Sequence, residues 1–171
     1  MCIRDSIINN SKPVIAEVSG IATAAGCQLV ASCDLAYASE NSKFATPGVN
    51  IGLFCSTPMV ALSRVVKNKH SMEMLLTGDF IDADKAKNIG LINNYFSEDS
   101  LVSEIREMAN KIANKSSQTV KIGKKAFYNQ AQMKTDDAYK YASEVMIENM
   151  MNQDSDEGIS AFLEKREPNW S

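Results

Sequence analysis

The chain contains one histidine, His70, and no Gly-x-Ser-x-Gly turn, which argues against a Ser-His-Asp hydrolase. His70 follows Lys69 near an expected helix start and reads as a solvated residue. No Gly-x-x-x-x-Gly-Lys phosphate loop occurs, and no Gly-x-Gly-x-x-Gly follows a strand, so both common nucleotide fingerprints are missing. Cys2, Cys27, Cys33 and Cys55 lack the spacing of a secreted disulfide framework, and cysteine-rich metal motifs want tighter pairs and more ligands. They read as free thiols in a reducing compartment, and no metal is expected. No apolar run approaches the ~20 residues of a membrane-spanning helix. Residues 1–6 show neither an apolar signal core nor an Arg-rich amphipathic pattern. Repeats, low-complexity tracts and linkers are lacking too. A net charge of −3 gives no global pull toward nucleic acid or an anionic membrane.

What remains is an ordinary globular composition. The 171 residues, 44% of them hydrophobic and 23% charged, suffice for one domain with a sizeable core. Val14–Val18 is rich in β-branched residues and reads as a buried strand ending in a turn at Ser19-Gly20. Small residues Ala24-Ala25-Gly26 precede a helical segment over Cys27–Ser32, and Leu35–Ala38 gives a second strand. Lys43–Ala45 is a short strand before a Pro47-Gly48 turn. Thr57-Pro58 signals a helix start with Thr57 as N-cap. Gly78 closes a helix near Lys69–Thr77, Asp82 caps a short one ending at Gly90, and Leu91–Phe96 is extended. From Ser97 the pattern is helical. Leu101, Ile105, Met108 and Ile112 form one apolar stripe, Thr135 caps a later helix, and Asp154 with Glu157 resembles a capping box.

The run Ala24-Ala25-Gly26-Cys27-Gln28-Leu29, the pair Cys33-Asp34 and the stretch Phe44-Ala45-Thr46-Pro47-Gly48-Val49-Asn50-Ile51-Gly52-Leu53 together resemble the enoyl-CoA hydratase/isomerase (crotonase) superfamily. The resemblance runs from about Ile7 to Trp170. It implies an α/β crotonase-like spiral of β-β-α units, here its C-terminal part over 7–96, with an unmatched leader at 1–6. Helices over 97–171 would serve oligomerisation, as a homotrimer or dimer of trimers. Met150 and Met151 beside an apolar stripe suit such a surface.

The resemblance also implies a site. Thioester chemistry of this superfamily passes through an enolate, and main-chain N–H groups at a helix N-terminus stabilise the charge on its oxygen. The donor would be the N–H of Ala25, with Ala24 and Gly26 beside it. Alanine serves as well as glycine there provided φ is negative. Otherwise these small residues simply allow close helix–strand packing. A second donor would come from a region upstream of the resemblance. Gln28 and Gly48 stand where hydratases carry two catalytic glutamates. An amide cannot replace a carboxylic acid in proton transfer, and glycine has no side chain. Gln28 therefore either lines the site or is a plain helix residue, and Gly48 reads as a turn residue.

Asn50 and Ser56 lie close to the missing carboxylate as substrate-binding candidates. Lys165 and Arg166 would approach CoA phosphates, or are a solvated helix end. Cys55 lacks a neighbouring histidine to activate it. Asp34 reads as structural, and Glu17 interrupts an apolar strand. The expected ligand is an acyl-CoA thioester, with no other cofactor and no nucleic-acid or membrane partner. The expected role is in fatty acyl-CoA metabolism, in a mitochondrial matrix or a bacterial cytoplasm. The alternatives are a non-catalytic acyl-CoA binder and a structural oligomer subunit.

Overall fold

The computed structural model describes residues 3–171, so Cys2 lies outside the described residues. After a short helix α1 (Ile3–Ile8), the β-branched run forms β1 (Ile15–Val18). Gly20 then adopts φ 108°, which glycine alone takes without strain, and the chain turns at once into β2 (Ile21–Thr23). Helix α2 (Ala25–Ser32) follows, then β3 (Leu35–Ser39) and β4 (Lys43–Ala45). A 3-10 turn over Pro47–Ile51 leads to α3 (Ser56–Val65), α4 (Asn68–Thr77), β5 (Ile81–Asp82), α5 (Ala83–Asn88) and β6 (Asn94–Phe96).

The first four strands alternate between two sheets. The first is parallel in the order β1-β3-β6, with Ile15 opposite Leu35 and Tyr37 opposite Asn94. In the second, β4 is central, parallel to β2 and antiparallel to β5. One strand of each sheet and then a helix make the repeating β-β-α unit expected from the sequence. At the corner between sheets a buried serine, Ser42, ties the main chain together, with Ser39 buried beside it. Ser42 Oγ donates to Val18 O at 3.0 Å, accepts from Gly20 N–H at 3.3 Å, and lies 2.9 Å from Ser39 Oγ. Asp34 closes the other end of β1 by accepting the Val14 N–H at 2.7 Å, a structural role as anticipated.

The main core gathers Val30, Phe44, Leu62, Met74 and Leu75 around the alanines of β3 and α5. Burial of each such large side chain contributes about 1.5–3 kcal/mol.

The chain divides into two compact units: the described residues up to 8 with 14–109, and 9–13 with 110–171. Helix α6 (Glu98–Ala113) therefore begins in the first unit, whereas the sequence reading grouped it with the later helices. The reason is its apolar stripe. Leu101 and Ile105, with Met108, pack on Ile15, Leu35 and Tyr37, which share one face of the β1–β3 pair.

The second unit holds α7 (Ser117–Gln130), α8 (Thr135–Met150) and α9 (Gln153–Glu164). Here the expected caps differ. Thr135 is the first helical residue of α8 and Ser56 that of α3, so neither Thr135 nor Thr57 is a cap. Asp154 caps nothing. It is buried inside α9, accepting from Ser116 Oγ at 2.5 Å and from Ser171 N and Oγ at 3.0 and 2.8 Å. These bonds, Ser116 first, hold its carboxyl below the usual aspartate range. Trp170 folds back with them: Nε1 donates to Asn114 O at 3.0 Å, and the ring covers Gly158.

Candidate functional site

Two turns of the first unit carry the positions singled out in the sequence. The first opens α2. Ala24 adopts φ 46° and ψ −109°, a conformation that costs an L-residue about 1–3 kcal/mol. Its N–H is tied to Ala45 O at 3.0 Å, and its carbonyl accepts from Gln28 N at 2.9 Å. Ala24 and Lys165 are the only non-glycine residues with positive φ among those described. Ala25 therefore has negative φ and suits alanine.

The opening amides of a helix have no intrahelical acceptor. Here the N–H groups of Ala25, Gly26 and Cys27 find none elsewhere among the described residues either. Ala25 is exposed rather than enclosed in the core, and Gln28, one turn on, is half-buried. A Cβ at position 26 would meet only Ala22 Cβ, at an ordinary 3.8 Å, so close packing does not demand glycine there.

The second turn runs from Thr46 to Ser56. Gly48 lies in its 3-10 segment, closed by Gly52 at φ 76°. Gly48 N–H donates to Cys55 Sγ at 3.3 Å, and Leu53 N–H returns to Gly48 O at 2.9 Å. A Cβ at 48 would stand 2.7 Å from Leu53 O and 2.9 Å from Cys55 Sγ, closer than real Cβ contacts allow. A side chain at 48 therefore requires Leu53 or Cys55 to shift from its place in this turn. Thr46 is fully buried, and its Oγ1 has no partner among the described residues. Asn50 and Ser56 are exposed, with Ser56 Oγ donating to Phe54 O at 3.3 Å.

The two turns are neighbours. Besides the Ala24–Ala45 bond, α2 packs on α3, and Cys27 and Cys55 share the core cluster. Burial first, and then the adjacent Cys55, push the Cys27 thiol up to about 12, so it stays protonated. Sequence reasoning considered Cys55 only as a nucleophile. Its contact with Gly48 was missed, because nothing in the spacing of the two residues announces it.

In the second unit, Lys165 ends α9 in the left-handed region at φ 56° and is exposed. Arg166 is engaged within the protein: Nη1 and Nη2 grip Glu157 at 2.6 and 2.9 Å, and Nε donates to Glu164 at 2.6 Å. The guanidinium, with the Asn169 N–H, pulls the Glu157 carboxyl from its ordinary 4.5 down to about 2. Glu17 is exposed on β1, and His70 lies 3.7 Å from Glu73 at the surface. Among the described residues, no group of three His, Cys, Asp or Glu is placed to hold a metal. No helix among them is long and apolar enough to cross a membrane.

The β-β-α spiral agrees with the comparison to known families. The chain belongs to the enoyl-CoA hydratase/isomerase family, whose model matches residues 4–171. Within it, the chain is 54% identical over 159 residues to the mitochondrial enoyl-CoA hydratase domain-containing protein 3 of Xenopus laevis, covering 93% of this chain and 54% of that protein. The crystal structure of the human enoyl coenzyme A hydratase domain-containing protein 3 matches with a TM-score of 0.96 at 50% identity, over 98% of this chain and 66% of that one. That of an enoyl-CoA hydratase from Mycobacterium smegmatis gives 0.97 at 50% identity, over 98% and 65%. The fold is accordingly crotonase-like, and the chain spans about half the length of the curated relatives it matches.

Proposed function

We propose that this chain serves fatty acyl-CoA metabolism by binding an acyl-CoA thioester, the thioester oxygen resting against the main-chain N–H of Ala25. The observation that carries this reading is the exposed start of α2, where the Ala25 amide has no acceptor among the described residues. Main-chain donors of this kind stabilise negative charge developing on a carbonyl oxygen, and the helix N-terminus adds to the effect. Ala24 and Gly26 shape that turn, Gln28 lines it as a hydrogen-bonding amide, and Asn50 and Ser56 border the Gly48 turn. Lys165, exposed at the end of α9, remains available to a CoA phosphate, whereas Arg166 is engaged by Glu157 and Glu164. Assembly as a trimer and a mitochondrial location, as in the names of its relatives, complete the proposal.

With an amide at 28 and no side chain at 48, neither position moves a proton. Losing one such group typically costs about 10²–10⁴-fold in rate. A specific observation, the filled space beside Gly48, therefore favours the second reading: an acyl-CoA binder without hydratase activity. Titration calorimetry with butyryl-CoA tests the first claim, and absence of binding heat refutes it. Crotonyl-CoA hydration separates the two readings: a rate equal to buffer supports the binder, and a rate well above it restores the enzyme.

A further inference from the structure

We propose that Cys55 is a positioning residue of the thioester site. Its sulfur lies 2.9 Å from the point where a side chain at position 48 would begin, and holds the Pro47–Ile51 turn with bare main chain there. This rests on the acyl-CoA reading above but assigns a residue which that reading leaves unused.

Cys55 Sγ accepts the Gly48 N–H at 3.3 Å and lies 2.9 Å from the point where a Cβ at 48 would stand. The same residue's N lies 3.3 Å from that point, so Cys55 bounds position 48 by both side chain and main chain. Cys55 is also the residue that precedes α3, and its carbonyl accepts the Met59 N–H at 2.9 Å. The thiol is therefore anchored to a helix that packs on α2, beside Cys27 in the first turn that carries Ala25. One sulfur thus links the turn at 48 to the element that presents the Ala25 amide. A buried thiol is also a weak acceptor that needs no water, which suits an 8% exposed position.

The test compares Cys55→Ser and Cys55→Ala, each measured for melting temperature, butyryl-CoA affinity and exchange of the Gly48 amide by nitrogen-labelled NMR. Serine keeps an acceptor for Gly48 but buries a hydroxyl, whereas alanine loses the acceptor and leaves a small void. The proposal expects Cys55→Ala to weaken binding about three- to tenfold, the equivalent of one lost hydrogen bond, and to speed Gly48 exchange. Cys55→Ser stays within about twofold of the parent in both, even where it melts lower. A merely structural role predicts that binding follows melting temperature in both variants, and that result overturns the proposal. The parent protein supplies an arm independent of both variants: its Gly48 amide must exchange at least about tenfold more slowly than in an unfolded chain. An unprotected Gly48 amide overturns the proposal even where a variant fails to fold. If the parent protein takes up no butyryl-CoA while Gly48 remains protected and Cys55→Ala releases it, the acyl-CoA reading fails and the anchoring of the turn stands.

Discussion

The turn at Ala24–Gln28 and the turn at Thr46–Ser56 differ in what they can offer a ligand: main-chain amides without acceptors among the described residues at the first, and at the second a loop closed around a glycine. At the first, the expected contribution is a main-chain N–H, which every residue but proline provides. Alanine at 25 leaves the amide without an acceptor among the described residues, with the backbone strain at Ala24. At the second, the expected contribution is a side chain, and Leu53 O and Cys55 Sγ fill the space where one would start. Function carried by the backbone survives a change of side chain; function carried by a carboxylate does not.

The contrast breaks most readily at position 48. Gly48→Glu forces Leu53 and Cys55 apart, and an overpacked site of this kind loses about 1–3 kcal/mol or more. Urea denaturation checks the value, and the variant gains no crotonyl-CoA hydration. A stable Gly48→Glu protein that hydrates crotonyl-CoA ends the argument.

Acid tests whether the C-terminal tail is held by protein rather than kept free for ligand. Glu157 has its folded pKa lowered from 4.5 to about 2 by Arg166 and Asn169, so the clasp contributes fully above pH 4.5 and is lost as pH falls toward 2. Melting temperature should drop across that window in the parent and stay flatter in Glu157→Gln. Equal slopes would show that Arg166 does not depend on Glu157.

Relief of the strained turn gives a smaller and opposite effect. Ala24→Gly removes about 1–3 kcal/mol of backbone strain and adds about 0.4–1 kcal/mol of unfolded-state entropy, a net gain between about zero and 2.5 kcal/mol. Denaturant midpoints read it directly, and a loss of stability contradicts the backbone assignment. Smallest of all, Gln28→Glu adds a carboxylate near the start of α2 at a half-buried position and should change stability by no more than about 0.5 kcal/mol. Its tolerance beside the intolerance of Gly48→Glu is the sharpest form of the comparison, and calorimetric melting of both variants provides it.

Much of the fold was legible because local chemistry decided it. The β-branched run at β1, the left-handed Gly78 at φ 68° after α4, and Asp82 accepting from Lys85 N at 2.8 Å all follow from residue type. Strand β2 was not legible: its three residues gain their strand character from pairing with β4, far along the chain. The capping reading of Asp154 failed for a similar reason, since Ser116 and Ser171 claim its carboxylate from distant positions. At the candidate site, the run of small residues in the sequence marked the start of α2, whose opening amides have no acceptor among the described residues. That Ala24 rather than Ala25 carries the positive φ, and that Cys55 closes position 48, depend on how loops meet, which no spacing encodes.

The claim that everything else depends on is a hydrogen bond from the Ala25 main chain to the thioester oxygen. Infrared difference spectroscopy of crotonyl-CoA carrying carbon-13 at the carbonyl reports that bond directly. The thioester band is expected to move to lower wavenumber on binding, and to lose that shift when the Ala25 amide is replaced by an ester. A band unmoved while calorimetry shows the ligand bound would contradict the account.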